Sequence, residues 1–231
     1  TPAEFLAVAS QSDALQWLRA AYELEVYDLQ VLILGLAPEI DRRYERLYAY
    51  LQDDVTCKRP TVELALNLFC HTRQDKLAAR ERFLPEAPLR SHSLVQVWPD
   101  ANQKLPSLLG HFLTLDDQIL RVLLGQDYLD PRLSPWCTLF APDTRPLETF
   151  LAPELTRPLQ VLVHQAWQED RPFALYLYGP PGVGKTGLAQ ALAGEVGAGL
   201  LVVDAGAVEQ AAPEPNNFFR TLFREARWRR A

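Results

Sequence analysis

The residues best suited to chemistry form one run, Gly179-Pro180-Pro181-Gly182-Val183-Gly184-Lys185-Thr186, which matches G-x-x-x-x-G-K-[ST] at every fixed position. A phosphate chain is held by several backbone N–H groups turned inward around it, and glycines let the main chain curl that closely because no Cβ intervenes. Gly182, Val183 and Gly184 are expected to supply that nest. Lys185 is the catalytic candidate, a cation placed between the β- and γ-phosphates, and Thr186 offers its hydroxyl to Mg²⁺. A helix beginning here points its positive end at the anion. The plainer reading is a glycine turn between a strand and a helix; the full match, flanked by both elements, outweighs it.

Those elements are legible on either side. FALYLY before the run reads as a strand, GLAQALAG after it as a helix, then GLLVVDA as a strand and NNFFRTLFREARWRR as a second helix. The alternation is the mark of a parallel α/β sheet. Upstream the pattern is helical. Val26 to Leu36 is almost wholly apolar and predicts a buried helix ending near Gly35, after which Pro38 opens another whose packing face is Ile40, Tyr44, Leu47, Tyr48 and Leu51. Pro60-Thr61 starts a third helix, TVELALNLFC, and HTRQDKLAARERF makes a fourth. LVQVW and HFLTL read as a small β-ribbon, followed by a helix with Ile119, Leu120, Leu123 and Leu124 that Gly125 closes. Prolines 131, 135, 142, 146, 153 and 158 mark the connection, and Pro158 is placed as the first residue of the helix LQVLVHQAW. The expected division is a helical domain at 1–130, a Pro-rich linker at 131–157 and part of a nucleotide-binding domain at 158–231.

Other candidates for chemistry have simpler explanations. Asp116 and Asp117 end an apolar run, yet they suit the capping position and first turn of the next helix. Asp53-Asp54 reads as a solvated helix exit, and Asp204 as a strand-end turn former that could instead face the phosphate site. Cys57, Cys70 and Cys137 are widely spaced and form no Cys-x-x-Cys pair, so they are read as reduced, mostly buried residues. Arg73, Lys76 and Arg80 recur on one helix face, which reads as solvated. Arg220, Arg224, Arg227, Arg229 and Arg230 form a denser basic cluster, expected to meet a neighbouring subunit in an oligomer or, in this chain alone, to be exposed.

Composition excludes several classes. At 48% hydrophobic the chain has enough apolar residues for a packed fold, and no apolar run reaches the roughly 18 residues that span a bilayer. The N-terminus TPAEFLAVASQSD lacks the basic flank of a secretory signal, so a cytoplasmic address is expected. Methionine is absent, even at position 1, as expected either of a chain that starts inside a longer one or of initiator removal. Residues 1–140 carry 14 Lys+Arg against 19 Asp+Glu, net −5, where a DNA-binding domain presents a basic field.

GPPGVGKT after a hydrophobic strand, with NNFFRTLFREARWRR some thirty residues later, resembles the start of the AAA+ ATPase core. The stretches APEIDRRYERLYAYLQDDVTCKRPTVELALNLFC and FLTLDDQILRVLLG resemble the winged-helix-type region that precedes this core in a group of bacterial ATPases, members of which occur with extracellular contractile injection systems. The resemblance implies a mainly α winged-helix-like domain plus a partial α/β P-loop domain with strand order 5-1-4-3-2, in which FALYLY and LLVVD are not neighbours. It also implies that the chain stops before the acidic strand, the sensor, the arginine finger and the lid, and that as it stands it lacks turnover.

The resulting expectation is an ATP-hydrolysing AAA+ motor that remodels a protein partner. Its cofactors are ATP and Mg²⁺, bound by Gly179, Pro180, Pro181, Gly182, Val183, Gly184, Lys185 and Thr186. The longer protein is expected to form a homo-oligomeric ring, cycling between ATP and ADP, with no membrane and no nucleic-acid partner. The alternative is a nucleotide-gated adaptor or DNA-binding regulator in which ATP acts as a switch.

Overall fold

A computed structural model describes residues 13–229 apart from 101–103, 106, 127, 144, 148–149, 170 and 212–214. The chain divides into two compact units, residues 1–128 and 129–231.

The first unit opens with α1 (Asp13–Tyr22) and α2 (Val26–Ile40). Glu25 and Asp28 cap α2 reciprocally, and the buried Asp28 carboxylate also accepts from Arg82 Nε at 2.9 Å. The expected break at Gly35 and restart at Pro38 is corrected: α2 runs through both. Gly35 lies where an added Cβ would come within 3.0 Å of Leu115 Cγ, so it serves close packing and not helix termination. Pro38 has no N–H for the Leu34 carbonyl, and the Tyr48 hydroxyl donates to that carbonyl instead, at 2.8 Å.

That bond also sets the rotation of α3 (Arg43–Leu51). Tyr48 is buried and Tyr44 packs partly, as expected, but Ile40, Leu47 and Leu51 are 51%, 43% and 45% exposed. The packing face is therefore narrower than the one predicted. Gln52 follows α3 as a hub: its amide nitrogen donates to the carbonyls of Tyr48, Cys57 and Arg59, and its oxygen accepts from the Thr61 backbone and hydroxyl. The loop 53–60 is tied down by it.

Thr61 caps α4 (Val62–Phe69), and Thr72 with Asp75 forms a capping box on α5 (Arg73–Arg80). A 3₁₀ turn then carries Phe83 into the core, before α6 (Pro88–Ser91). The expected ribbon is present: β1 (Val95–Trp98) runs antiparallel to β2 (Phe112–Leu115), with Val95 opposite Leu115 and Trp98 opposite Phe112. Asp116 caps α7 (Asp117–Leu123) by accepting from Gln118 N at 3.1 Å, and Gly125 follows at φ +73°. One apolar core, from Leu15 through Leu32 and Leu66 to Ile119, joins these elements.

The second unit departs further from expectation. Its elements are β3 (Cys137–Phe140), α8 (Pro153–Gln168), α9 (Lys185–Glu195), β4 (Leu200–Val203), α10 (Ala205–Ala211) and α11 (Pro215–Arg229). Helix α8 starts at Pro153, so Pro158 lies inside it and not at its head. The pairing expected of a parallel sheet is also corrected. LLVVD pairs antiparallel with β3, Cys137 opposite Val203, while 173–178 forms no strand among the described residues. The reason is lateral support. Leu177 packs against the cluster that holds Leu147 and Leu188, but Phe173, Leu175, Tyr176 and Tyr178 remain exposed, and among the described residues no strand pairs with this segment to accept the ladder bonds. The two segments FALYLY and LLVVD do not pair with each other.

Candidate functional site

The glycine run of the second unit is shaped by backbone geometry. Gly179, Gly182 and Gly184 sit at φ +151°, +83° and +96°, a region that favours glycine. At Gly182 nothing lies within 4 Å of where a Cβ would be, so conformation and not crowding demands the glycine there. Gly184 is the N-cap of α9, whose first two residues are Lys185 and Thr186. The N–H groups of Gly182, Gly184, Lys185 and Thr186 donate to no backbone carbonyl among the described residues, whereas that of Val183, also expected in the nest, turns to the Pro180 carbonyl at 3.5 Å. Lys185 Nζ folds back over the loop and donates to the carbonyls of Gly179 and Pro180, each at 2.9 Å. Open donors, a helix N-terminus and an ammonium thus occupy one small loop, with Thr186 exposed beside them. This donor set fits a polyphosphate.

Helix α9 is held by Leu188, Ala191 and Leu192, which pack with Leu147 and Val163. A segment read as linker forms the adjoining wall. A Cβ at Gly187 would stand 2.8 Å from the Phe150 ring, Gln190 Nε2 donates to the Ala141 carbonyl at 3.4 Å, and a Cβ at Gly194 would overlap the Asp143 carbonyl at 1.8 Å. Residues 187, 190 and 194 therefore make the α9 face on which Ala141, Asp143 and Phe150 lie. Arg145 stacks over Phe150 at 5.2 Å and pairs with Asp143 at 2.6 Å. Sequence reasoning missed Phe150 and Arg145. The signal available was the spacing Leu147, Phe150, Leu151, which repeats at helical intervals within the proline-rich stretch.

Several of the remaining candidates have local roles of their own among the described residues. Asp204 Oδ1 accepts from Ala207 N at 3.0 Å, the turn-forming role, while its own N–H donates to the Trp136 carbonyl. Asp54 is engaged by Thr56 in the turn after α3, and these hydrogen bonds hold its carboxyl below the usual range. Arg73 and Arg80 are exposed on α5. Cys70 and Cys137 are buried and Cys57 half-buried, and burial pushes all three thiols up.

The C-terminal arginine cluster requires correction. Arg220 and Arg227 are exposed, but Arg224 and Arg229 turn inward to buried carboxylates, and Arg230 lies outside the described residues. Arg224 Nη2 is 3.4 Å from Asp130 Oδ2, Arg229 Nε is 2.6 Å from Glu225 Oε1, and Arg132 also grips Asp130, at 2.6 Å. Burial pushes the Glu225 carboxyl up. The cluster is an internal ionic clamp between residues 130–132 and α11. Among the described residues no three His, Cys, Asp or Glu side chains gather to hold a metal, and no helix is long and apolar enough to cross a membrane.

Comparison with known proteins adds identity to this geometry. Residues 7–137 match the family "Winged helix domain, variant", and residues 175–230 match the "ATPase family associated with various cellular activities (AAA)". The chain is similar to Holliday junction branch migration complex subunit RuvB from two strains of Mycobacterium leprae, 34% identical over 96 residues, which cover 38% of this chain and 28% of RuvB. It is also similar to ATPase family gene 2 protein homolog B from Bos taurus, 49% identical over 57 residues, which cover 24% of this chain and 7% of that protein. The chain thus spans well under a third of the length of these relatives. No solved structure matches it. The chain belongs to the winged helix domain, variant, family, and its residues 175–230 are similar to the AAA ATPase family.

Proposed function

We propose that residues 179–186 bind Mg·ATP and that the protein works as an AAA+ motor, using nucleotide turnover to remodel a protein partner. The observation that carries this reading is the loop itself: three glycines at positive φ leave N–H donors open around the Lys185 ammonium. In it the open donors of Gly182, Gly184 and Lys185 take the β- and γ-phosphate oxygens, and the Lys185 ammonium leaves the carbonyls of Gly179 and Pro180 for the anion. The Thr186 hydroxyl holds Mg²⁺, which when bound neutralises charge on the phosphates. Phe150 and Arg145, packed against the start of α9, border that site on one side. The chain contributes Lys185 as its catalytic group, while acidic and arginine-finger partners belong to the AAA+ core as a family. Assembly into a homo-oligomeric ring and service to a contractile injection system are parts of the same proposal.

The test compares Thr186→Ala with wild type, with and without Mg²⁺. The variant weakens Mg·ATP more than Mg-free ATP, since only the former uses the hydroxyl. Equal loss in both conditions refutes the metal assignment. A second reading, a DNA-acting regulator, is favoured only by the Holliday junction named in the RuvB relative. It predicts sequence- or structure-selective DNA binding at physiological salt, against the net −5 of residues 1–140.

A further inference from the structure

The chain passes from the first unit to the second between residues 128 and 129, and on each side of that step it is fastened by buried polar groups. On the first side Gln118 of α7, 2% exposed, donates from Nε2 to the Tyr128 carbonyl at 2.9 Å. On the second side Asp130 is 1% exposed, and its carboxylate accepts from the backbone N–H of Arg132 at 2.9 Å and from the Arg132 guanidinium at 2.6 Å. Arg224 of α11 adds a contact at 3.4 Å, and the Asp130 backbone N–H donates to the buried Glu225 carboxylate, which Arg229 also holds. Leu129 alone stands between the two anchors, and its side chain packs partly against the cluster of Leu133, Phe218 and Leu222.

A connection between compact units is ordinarily an exposed stretch crossed by few contacts. This one is tied down instead by two buried carboxylates and three guanidinium groups, and Leu133, wholly buried, continues the attachment through apolar packing. Charges taken out of water in this way are held only while their partners remain in place. The clamp also joins the two matched segments of the chain. Gln118 and Asp130 lie within residues 7–137, matched by the winged helix family, whereas Arg224, Glu225 and Arg229 lie within 175–230, similar to the AAA ATPase family.

We infer that residues 128–130 form a latched joint, in which the Gln118 amide and the ionic clamp on Asp130 shorten the connection to one free residue and couple movement of α11 to movement of the first unit. Opening the latch extends the free connection to the stretch between Tyr128 and Leu133, and the coupling is lost. The joint uses no residue of 179–186, so it stands apart from the nucleotide proposal.

Pulsed electron–electron double resonance on the 231-residue chain, without nucleotide, tests the joint. One spin label is placed at Arg73 on α5 and one at Gln165 on α8, both exposed, on non-cysteine handles that leave the three native thiols untouched. The reference is a chain with Gly-Ser-Gly-Ser inserted after Leu129, which frees the connection, and the native distance distribution is expected to be narrower than the reference by about twofold or more. Asp130→Asn combined with Arg224→Met removes both members of one buried pair, so that neither charge is stranded, and broadens the distribution toward the reference. Gln118→Ala, in the other unit, releases the Tyr128 carbonyl and broadens it as well. The two changes lie in separate cores, so a shared effect reports the joint and not lost packing in either unit, and thermal melting confirms that both units remain folded. Equal widths for the native and insertion chains overturn the inference, and so does a native width that either variant leaves unchanged.

Discussion

Tyr48→Phe isolates the contact that allows α2 to pass through Pro38. In the native chain the Leu34 carbonyl has no helical donor, because Pro38 lacks an N–H, and the Tyr48 hydroxyl supplies one at 2.8 Å. Leu34 is 5% and Tyr48 3% exposed, so water does not replace the donor. Burial also pushes the Tyr48 phenol up, which keeps it protonated as a donor across the accessible pH range. Removing the hydroxyl therefore leaves a buried acceptor unmatched, a cost of about 1–3 kcal/mol. In a Pro38→Ala background the new N–H reaches the Leu34 carbonyl, and Tyr48→Phe then costs only about 0.5 kcal/mol. The double-mutant cycle should show a coupling of about 1 kcal/mol or more. Urea denaturation read by hydrogen exchange in peptides from 26–52 measures each corner of the cycle. Equal cost of Tyr48→Phe in both backgrounds would refute the reasoning, because the hydroxyl would then not be standing in for the missing N–H.

Further outcomes follow from other contacts. Gln52→Ala removes an amide whose two N–H groups are shared among three carbonyls and whose oxygen accepts twice, and should destabilise the first unit by about 2–3 kcal/mol, with faster exchange across 53–61; a loss below about 0.5 kcal/mol would show that the loop holds itself. Gly194→Ala places a methyl on the Asp143 carbonyl, 1.8 Å away, and should expose 141–150 to limited proteolysis, whereas unchanged cleavage would mean the segment is not seated on α9. Burial raises the folded pKa of Glu225 above its ordinary 4.5, so its contribution to stability is present below pH 4.5 and is lost as pH rises through the folded value. Glu225→Gln avoids that loss and should gain in melting temperature on the native chain as pH rises toward about 7; a parallel pair of pH profiles would contradict it.

The helical unit was legible in proportion to how local its signals are. Asp116 was readable as a cap, and Pro60-Thr61 as a helix start, because such signals depend on bonds within four residues. The ribbon of β1 and β2 announced itself by alternation. Gly35 and Pro38 misled because their tolerance inside α2 comes from Leu115 and Tyr48, which are distant in sequence. In the second unit the turn and the helix start at Lys185 were legible, since the glycines at positive φ stand in consecutive motif positions. The wall of Arg145 and Phe150 was not, because prolines concealed a short apolar repeat and nothing local links it to α9. Strand partners were hardest to read: LLVVD is an unmistakable strand, yet only the folded chain shows that Cys137–Phe140 receives it. The arginines of α11 separate into exposed and buried ones through Asp130, ninety-four residues before Arg224.

The central claim is that the loop at 179–186 is a triphosphate site anchored by Lys185. Calorimetric titration of Mg·ATP into the native chain and into Lys185→Ala tests it most directly, with the melting of both proteins confirming that removal of a loop charge leaves the fold intact. The account predicts measurable binding by the native chain and loss of most of that affinity in the variant, because the ammonium now resting on the Gly179 and Pro180 carbonyls is the charge that meets the phosphates. Equal affinities for the two proteins would contradict it.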